Sequence, residues 1–391
     1  MMGLVYIMSL ICAFCVANIY YSQPILMIIA DSIGVTHTEI GNIPTIVQLS
    51  YAAGLLLLVP LGDKLNRKNL LQTLLFINLL SSILASISDS FILLELASFF
   101  IGVTSIGAQI IIPAAPSYVD ANNRGKAVGI LLSGLVTGIL LARLLSGYIG
   151  GIYGWRAVFY FAAFINLFNM SVIYFKFPSN KSNKQISYKN LITSTFELVV
   201  AEKELRRCCL SGFVIFGAYS ALWGIVAYLT SLPPFYLTSH EVGLLGLSGI
   251  AGIIASPYVG RLADKYTPGF VVAIGGIISF IGFVVMYYSV YSIIILVLSM
   301  VLLDISARHS IIGNQLRAFS LREDARSRLN TAFMTSYFLG GAVGTKLGSL
   351  LGGIYGWLGL VLLGCIASII AIMVNHKNLF DSKNKEIETI V

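Results

Sequence analysis

This sequence has little charge. Only 11% of its 391 residues are Asp, Glu, Lys or Arg, where a soluble domain carries about 25%, so the chain lacks the charge to cover a water-facing surface. Cysteine is scarcer still, with five residues. Cys12, Cys15, Cys208, Cys209 and Cys365 fall in or beside apolar runs, with neither metal-ligand spacing nor a disulfide framework, and read as small hydrophobes. Enzyme signatures are missing: no Walker loop, no dinucleotide glycine fingerprint after a strand, no His-Glu-x-x-His and no nucleophile elbow. No catalytic residue, metal or cofactor is therefore expected, and without a nucleotide site the energy for any transport must come from an ion or solute gradient. The first apolar run, from about Gly3 to Ile29, has no basic leader and is too long for a signal core, so it reads as a retained span.

What abounds is apolar surface. The chain is 57% hydrophobic with a mean hydropathy of +0.87, and apolar runs near twenty residues recur along it, each long enough to cross a bilayer. A transmembrane barrel would show short alternating segments instead. The expectation is an all-α polytopic membrane protein with twelve transmembrane helices. These begin near Leu4, Ile40, Asn69, Phe91, Ala127 and Ala157, then near Arg207, Val242, Gly269, Tyr291, Leu329 and Trp357. One long polar stretch divides them, giving a first six-helix half (1–177), a linker (178–206) with an interfacial helix around Leu191–Val200, a second half (207–375) and a polar, mobile tail (376–391).

The net charge of +8 does not point to nucleic acid, because the bases sit in short loops between spans. With the N-terminus inside, 21 of the 25 Lys and Arg lie on the cytoplasmic side and only Arg156 in an outer loop. The positive-inside rule then puts both termini in the cytoplasm.

The two halves repeat each other. Gly150-Gly151-Ile152-Tyr153-Gly154-Trp155 recurs as Gly352-Gly353-Ile354-Tyr355-Gly356-Trp357, at an offset of 202 that also pairs Arg124 with Arg326 and Lys126 with Arg328. Asp63 meets Asp264 at 201. Parallel repeats of six spans are a transporter architecture. Each copy carries a charged turn after its second span, Val59-Pro60-Leu61-Gly62-Asp63-Lys64-Leu65-Asn66-Arg67-Lys68 and the shorter Gly260-Arg261-Leu262-Ala263-Asp264-Lys265.

Those turns resemble the loop signature of the major facilitator superfamily, Gly-x-x-x-Asp-(Arg/Lys)-x-Gly-(Arg/Lys)-(Arg/Lys). Asp63, Lys64, Arg67 and Lys68 match it, whereas Val59 and Asn66 replace its glycines, and the second copy breaks at Thr267-Pro268. Gly154-Trp155-Arg156 after the fifth span is similar to bacterial drug:proton antiporters. Against that group, Arg143 stands at a usual proline, and the fourth span has no arginine in Glu95–Gly102. The resemblance implies the major facilitator fold, a monomer in the bacterial inner membrane, and a small-molecule substrate exchanged for protons. It also implies a gating latch of Asp63, Arg67 and Asp264, with Asp63 meeting the N-terminus of the eleventh helix. Proton symport or uniport into the cell stays open, as does a transport-inactive sensor.

Polar residues inside the spans are candidate chemistry. Asp304 lies about thirteen residues into the tenth span, near mid-membrane at 1.5 Å per residue, where a carboxylate is costly to ionise and can exchange a proton. Arg308 follows one turn later on the same face. A locked Asp304–Arg308 pair and a pair that opens on coupling are both compatible with that spacing. His309 is a weaker relay candidate. Arg143 and Lys346 occupy near-equivalent places in the fifth and eleventh spans. Either they attract an anionic group, or Lys346 snorkels outward and Arg143 pairs with Glu95 or a carbonyl. Asn18, Tyr21 and Gln23, beside Pro24, with Gln48, Gln109 and Trp223, suggest a cavity wall, although any one amide is equally an interhelical hydrogen bond. Glycines at four-residue spacing, Gly134 and Gly138, then Gly340, Gly344, Gly348 and Gly352, suggest that the fifth and eleventh spans meet their counterparts between the halves.

Overall fold

The computed structural model describes residues 2–120, 123–179 and 188–388, without the side chains of 63, 324 and 377–388. The charged group of Asp63, and with it the expected latch contact, lies outside the described residues.

Among the described residues ten helices are long and apolar enough to cross a membrane. They are His37–Leu57, Arg67–Ser86, Phe91–Tyr118, Arg124–Tyr153, Trp155–Lys176, Lys203–Ser231, Ser239–Lys265, Pro268–Tyr291, Ile293–Leu321 and Arg326–His376. The first span is shorter because it is broken: Met2–Ala17, a 3₁₀ turn at Gln23–Ile25, then Leu26–Ile33. Pro24 has no N–H to give, and the chain around it uses tighter bonds, Tyr20 N–H to the Ala17 carbonyl at 2.9 Å and Ile25 N–H to Ser22 at 3.2 Å. The longest helix is in fact two, divided at Gly356 (φ 58°, ψ −141°). With that division the membrane helices number twelve, in the order the apolar runs give.

Gly356 explains half of the repeated motif. Its counterpart Gly154 also has positive φ (82°), and each bends the chain from one span into the next, a geometry that a side chain at that position would strain. Arg156 then reaches over the Trp155 ring at 4.3 Å and donates to Asp89 at 2.6 Å and the Ser88 carbonyl at 2.9 Å, tying this turn to the one before the fourth span.

Contacts divide the chain into two compact units, Met1–Thr193 with Leu237–Gly246, and Ser194–Tyr236 with Leu247–Val391. The start of the eighth span therefore packs in the first unit. The linker contains the helix Tyr188–Ala201, and the last helix runs on to Glu388.

The glycine stripes do not join the halves. Each packs inside its own unit: a Cβ on Gly138 would stand 2.3 Å from the Ala13 carbonyl oxygen, and one on Gly344 would stand 2.0 Å from that of Gly217. Gly134 meets Ser9 and Gly340 meets Phe213 in the same manner. The fifth span thus lies against the first, and the eleventh against the seventh. Small residues let helices approach to backbone contact where lipid supplies no hydrophobic drive; their spacing shows that a close neighbour exists, not which helix it is.

Asn66, where the loop signature has glycine, keeps an ordinary φ of −64° and caps the third span, its side chain accepting from Lys68 N–H at 3.0 Å. It supplies a helix start at a position where the family signature has glycine. Thr267 and Pro268, which interrupt the second turn, likewise begin the ninth span as N-cap and first residue.

Candidate functional site

Each unit has a buried polar centre. In the second, Asp304 is 2% exposed. Oδ1 accepts from the Tyr219 hydroxyl at 2.8 Å and Oδ2 from the Ser248 hydroxyl at 2.7 Å, so the seventh, eighth and tenth spans converge on one carboxyl group. Tyr219 is held from behind by Phe216, which stacks on Tyr337 at 3.9 Å. Trp223, one turn along from Tyr219, is buried.

The locked form of the Asp304–Arg308 pair is not present: none of the described ion pairs joins the two. Spacing by one turn puts two side chains on a common face, but long ones choose their own rotamers. Arg308 lies against the eighth span, where a Cβ on Gly252 would meet its Nε at 3.0 Å and its Cγ at 3.3 Å, and that Nε is buried without a hydrogen-bond partner. His309 turns back to the Ile305 carbonyl at 2.9 Å.

In the first unit the centre is Arg143, also 2% exposed. Its Nε donates to Gln23 Oε1 at 2.9 Å and its guanidinium covers the Tyr20 ring at 5.0 Å. The break in the first span creates this contact, because the 3₁₀ turn brings Gln23 to the fifth span. Glu95, a partner considered for Arg143, instead accepts from Asn42 at 2.9 Å. Tyr21 packs edge-on to Phe161 at 6.2 Å. A cavity of about 640 Å³ opens between the first and fifth spans, lined by Ser9, Ala13, Phe14, Tyr21, Gly134 and Phe161 among others. Tyr21 lines it, whereas Asn18, Gln23, Gln48, Gln109 and Arg143 do not. Gln48 is buried, and Gln109 faces the Tyr51 hydroxyl.

At the charged turns, Arg67 Nε donates to the Gly62 carbonyl at 3.1 Å, closing the turn on itself. Lys68 donates to the Tyr174 carbonyl at 2.6 Å. Asp264 is exposed and makes no ion pair with the described residues. Lys346 is half-buried.

The sequence model of the Major Facilitator Superfamily matches residues 7–307 and 208–385, two overlapping stretches that take in nearly the whole chain. The chain belongs to the major facilitator superfamily. A transporter of Escherichia coli (strain K12) described as uncharacterized, YgaY, is 33% identical over 372 residues, covering 95% of this chain and 94% of that one. The inner membrane transport protein YnfM of the same organism is 24% identical over 368 residues, 92% and 87% of the two chains. Among solved structures, a bacterial homolog of the human lysosomal transporter Spinster superposes with a TM-score of 0.77 at 14% identity, covering 97% of this chain and 96% of that one. The nucleoside transporter NupG gives 0.75 at 13%, covering 96% and 97%. This is a multi-pass membrane protein of a transporter family.

Within this major facilitator, two polar clusters were not singled out from sequence. Asn166 accepts from Asn18 at 3.1 Å and donates to Asn78 at 2.8 Å, and Asn78 in turn reaches Thr104 at 2.8 Å and the Ile101 carbonyl at 3.0 Å. One amide chain thus joins the first, sixth, third and fourth spans. The repeat holds a reduced copy: Ser279 and Ser368, at the offsets 201 and 202 from Asn78 and Asn166, share a hydrogen bond at 2.8 Å. That offset was the available signal. In the second unit Arg317, 6% exposed, pairs with Glu204 and donates to Asn375 at 2.6 Å and Asn314 at 3.3 Å.

Asn166→Leu should cost about 1–3 kcal/mol by leaving buried amides of Asn18 and Asn78 without their partner. Thermal unfolding in detergent would show it, and Ser368→Ala should cost less.

Proposed function

We propose that the protein is a secondary transporter of the bacterial cytoplasmic membrane that exports a small organic solute by alternating access in exchange for protons, with Asp304 as the proton carrier. Both termini lie in the cytoplasm on this reading, and the unit of function is the monomer. The observation that carries it is the Asp304 centre. A carboxyl group in mid-span, buried from solvent and gripped by two neutral hydroxyls, can exist protonated or ionised at tolerable cost, because a hydroxyl can donate to the anion or accept from the acid. The three spans that supply the carboxyl and its hydroxyls would register the change as a shift in their mutual packing, which is what coupling requires. Arg143 with Gln23 and Tyr20, and Asn18, Tyr21, Gln48, Gln109 and Trp223, are assigned to the walls around the solute. Asp63, Arg67 and Asp264 are assigned to the latch. Resemblance to drug:proton antiporters supports the outward direction.

The test is proton movement in proteoliposomes containing a trapped pH-sensitive dye, with an imposed pH gradient and a panel of small organic solutes. Wild type should release protons on addition of a transported solute, and Asp304→Asn should abolish that signal while solute still binds. A surviving proton signal would overturn Asp304 as carrier. Solute flux indifferent to the gradient would overturn coupling and leave a uniporter.

A further inference from the structure

Among the described residues Arg308 has no counterion. Isolated charge in the middle of a membrane span is costly and is ordinarily matched by an opposite charge or by backbone carbonyls. Here no described carboxylate bridges it. Asp304, one turn away, has its two oxygens engaged by Tyr219 and Ser248. The Nε of Arg308 is buried and has no acceptor.

The helix opposite is shaped to keep it so. Ser248 and Gly252 sit four residues apart on the eighth span, as Asp304 and Arg308 do on the tenth. Ser248 bonds Asp304 at 2.7 Å, and Gly252 leaves the notch into which Arg308 lies, with Nε 3.0 Å and Cγ 3.3 Å from where a Cβ would be. Any larger residue at 252 would push the guanidinium away. The notch therefore holds the fork in place while offering it nothing to bond. The Ser256 hydroxyl, one turn further along the eighth span, is turned back to the Gly252 carbonyl at 2.7 Å and does not serve it either.

We infer that the transported solute carries an oxyanion and that Arg308 is the residue that binds it. A guanidinium presents parallel N–H donors matched to the two oxygens of a carboxylate or phosphate, and a bound oxyanion would satisfy both the orphaned donor and the unmatched charge. Arg308 lies one turn from Asp304 on the tenth span, so the solute's oxyanion and the carboxyl group would share one short stretch of helix. The inference rests on the transport reading above and adds the chemical class of the cargo.

The experiment uses the full-length protein in detergent and measures the melting temperature with a panel of organic oxyanions (aliphatic and aromatic carboxylates, phosphate monoesters) and their neutral amide or alcohol analogues. Wild type should be stabilised by at least one anion and not by its neutral analogue. Arg308→Gln should lose that shift. Arg308→Lys, which keeps the charge but not the fork, should retain part of it, and Gly252→Ala should weaken it several-fold by displacing the guanidinium. Monodispersity on size exclusion confirms that each variant is folded. Carboxylates against phosphate monoesters decides which oxyanion is carried. The inference is overturned if no anion in the panel stabilises wild type, or if the shift survives in Arg308→Gln. Because binding is read without a gradient, Arg308-dependent binding with no proton-coupled flux in liposomes would sink the coupling mechanism and leave the anion site standing. Coupled flux of a neutral or cationic solute would do the reverse.

Discussion

Gly344→Ala is expected to leave little folded protein, while Gly260→Ala leaves the yield unchanged. Both residues are helical, so intrinsic propensity favours alanine at each by up to about 1 kcal/mol. Their surroundings are opposite. The new methyl on Gly344 would lie 2.0 Å from the carbonyl oxygen of Gly217 and 2.3 Å from its carbon, whereas nothing lies within 4 Å of the position on Gly260. Overpacking against side chains costs about 1–3 kcal/mol because rotamers give way. Backbone cannot give way, so the whole helix pair must part. That would also loosen Gly340 from Phe213 and Gly348 from Ala221 on the turns either side, which takes the expected cost above about 3 kcal/mol. Monodisperse yield and melting temperature in detergent would report it. Equal behaviour of the two variants would mean that the seventh and eleventh spans stand further apart than described.

The second large effect concerns the start of the eighth span. Gly151→Cys combined with His240→Cys, in a Cys365→Ala background, should crosslink on oxidation and reduce flux at least tenfold, with full recovery on reduction. A Cβ built on Gly151 stands 3.7 Å from that of His240, within the range of about 3.5–4.5 Å that a disulfide needs. The neighbouring turn is tighter still, since a Cβ on Gly147 would be 2.5 Å from the Ser239 carbonyl oxygen and 2.9 Å from the Gly243 Cα. The Tyr148 and His240 rings meet edge-on at 5.5 Å. Residues 237–246 thus pack with the first unit, although the helix they begin continues into the second. If alternating access swings the start of the eighth span away from the fifth, a covalent tie between the two stops the cycle. Undiminished flux in the crosslinked protein would show the contact to be permanent.

The span order was legible because a bilayer imposes a length of about twenty apolar residues, and no tertiary contact is needed to read that. Gly154 and Gly356 were legible as a repeat, and their positive φ supplies the physical reason for it. Partner identity was not legible. The stripe ending in Gly138 shows that some helix comes close, yet only the fold shows it to be the first span, through Ala13, and not a counterpart in the other half. Asp304 was located correctly in its span but given Arg308 as partner, because the expectation used positions along one helix. Tyr219 and Ser248, 85 and 56 residues away, carry nothing in the sequence that ties them to Asp304. The same blindness hid Arg317, whose acid, Glu204, is 113 residues earlier.

Backbone contact between paired spans has a mechanical consequence. A layer of side chains between two helices is a cushion: rotamers adjust, and a push at one end is partly absorbed before it reaches the other. Where the Ala13 carbonyl meets Gly138, and that of Gly217 meets Gly344, there is no cushion. Each of these pairs is a strut, with no side-chain layer at these contacts to absorb a displacement.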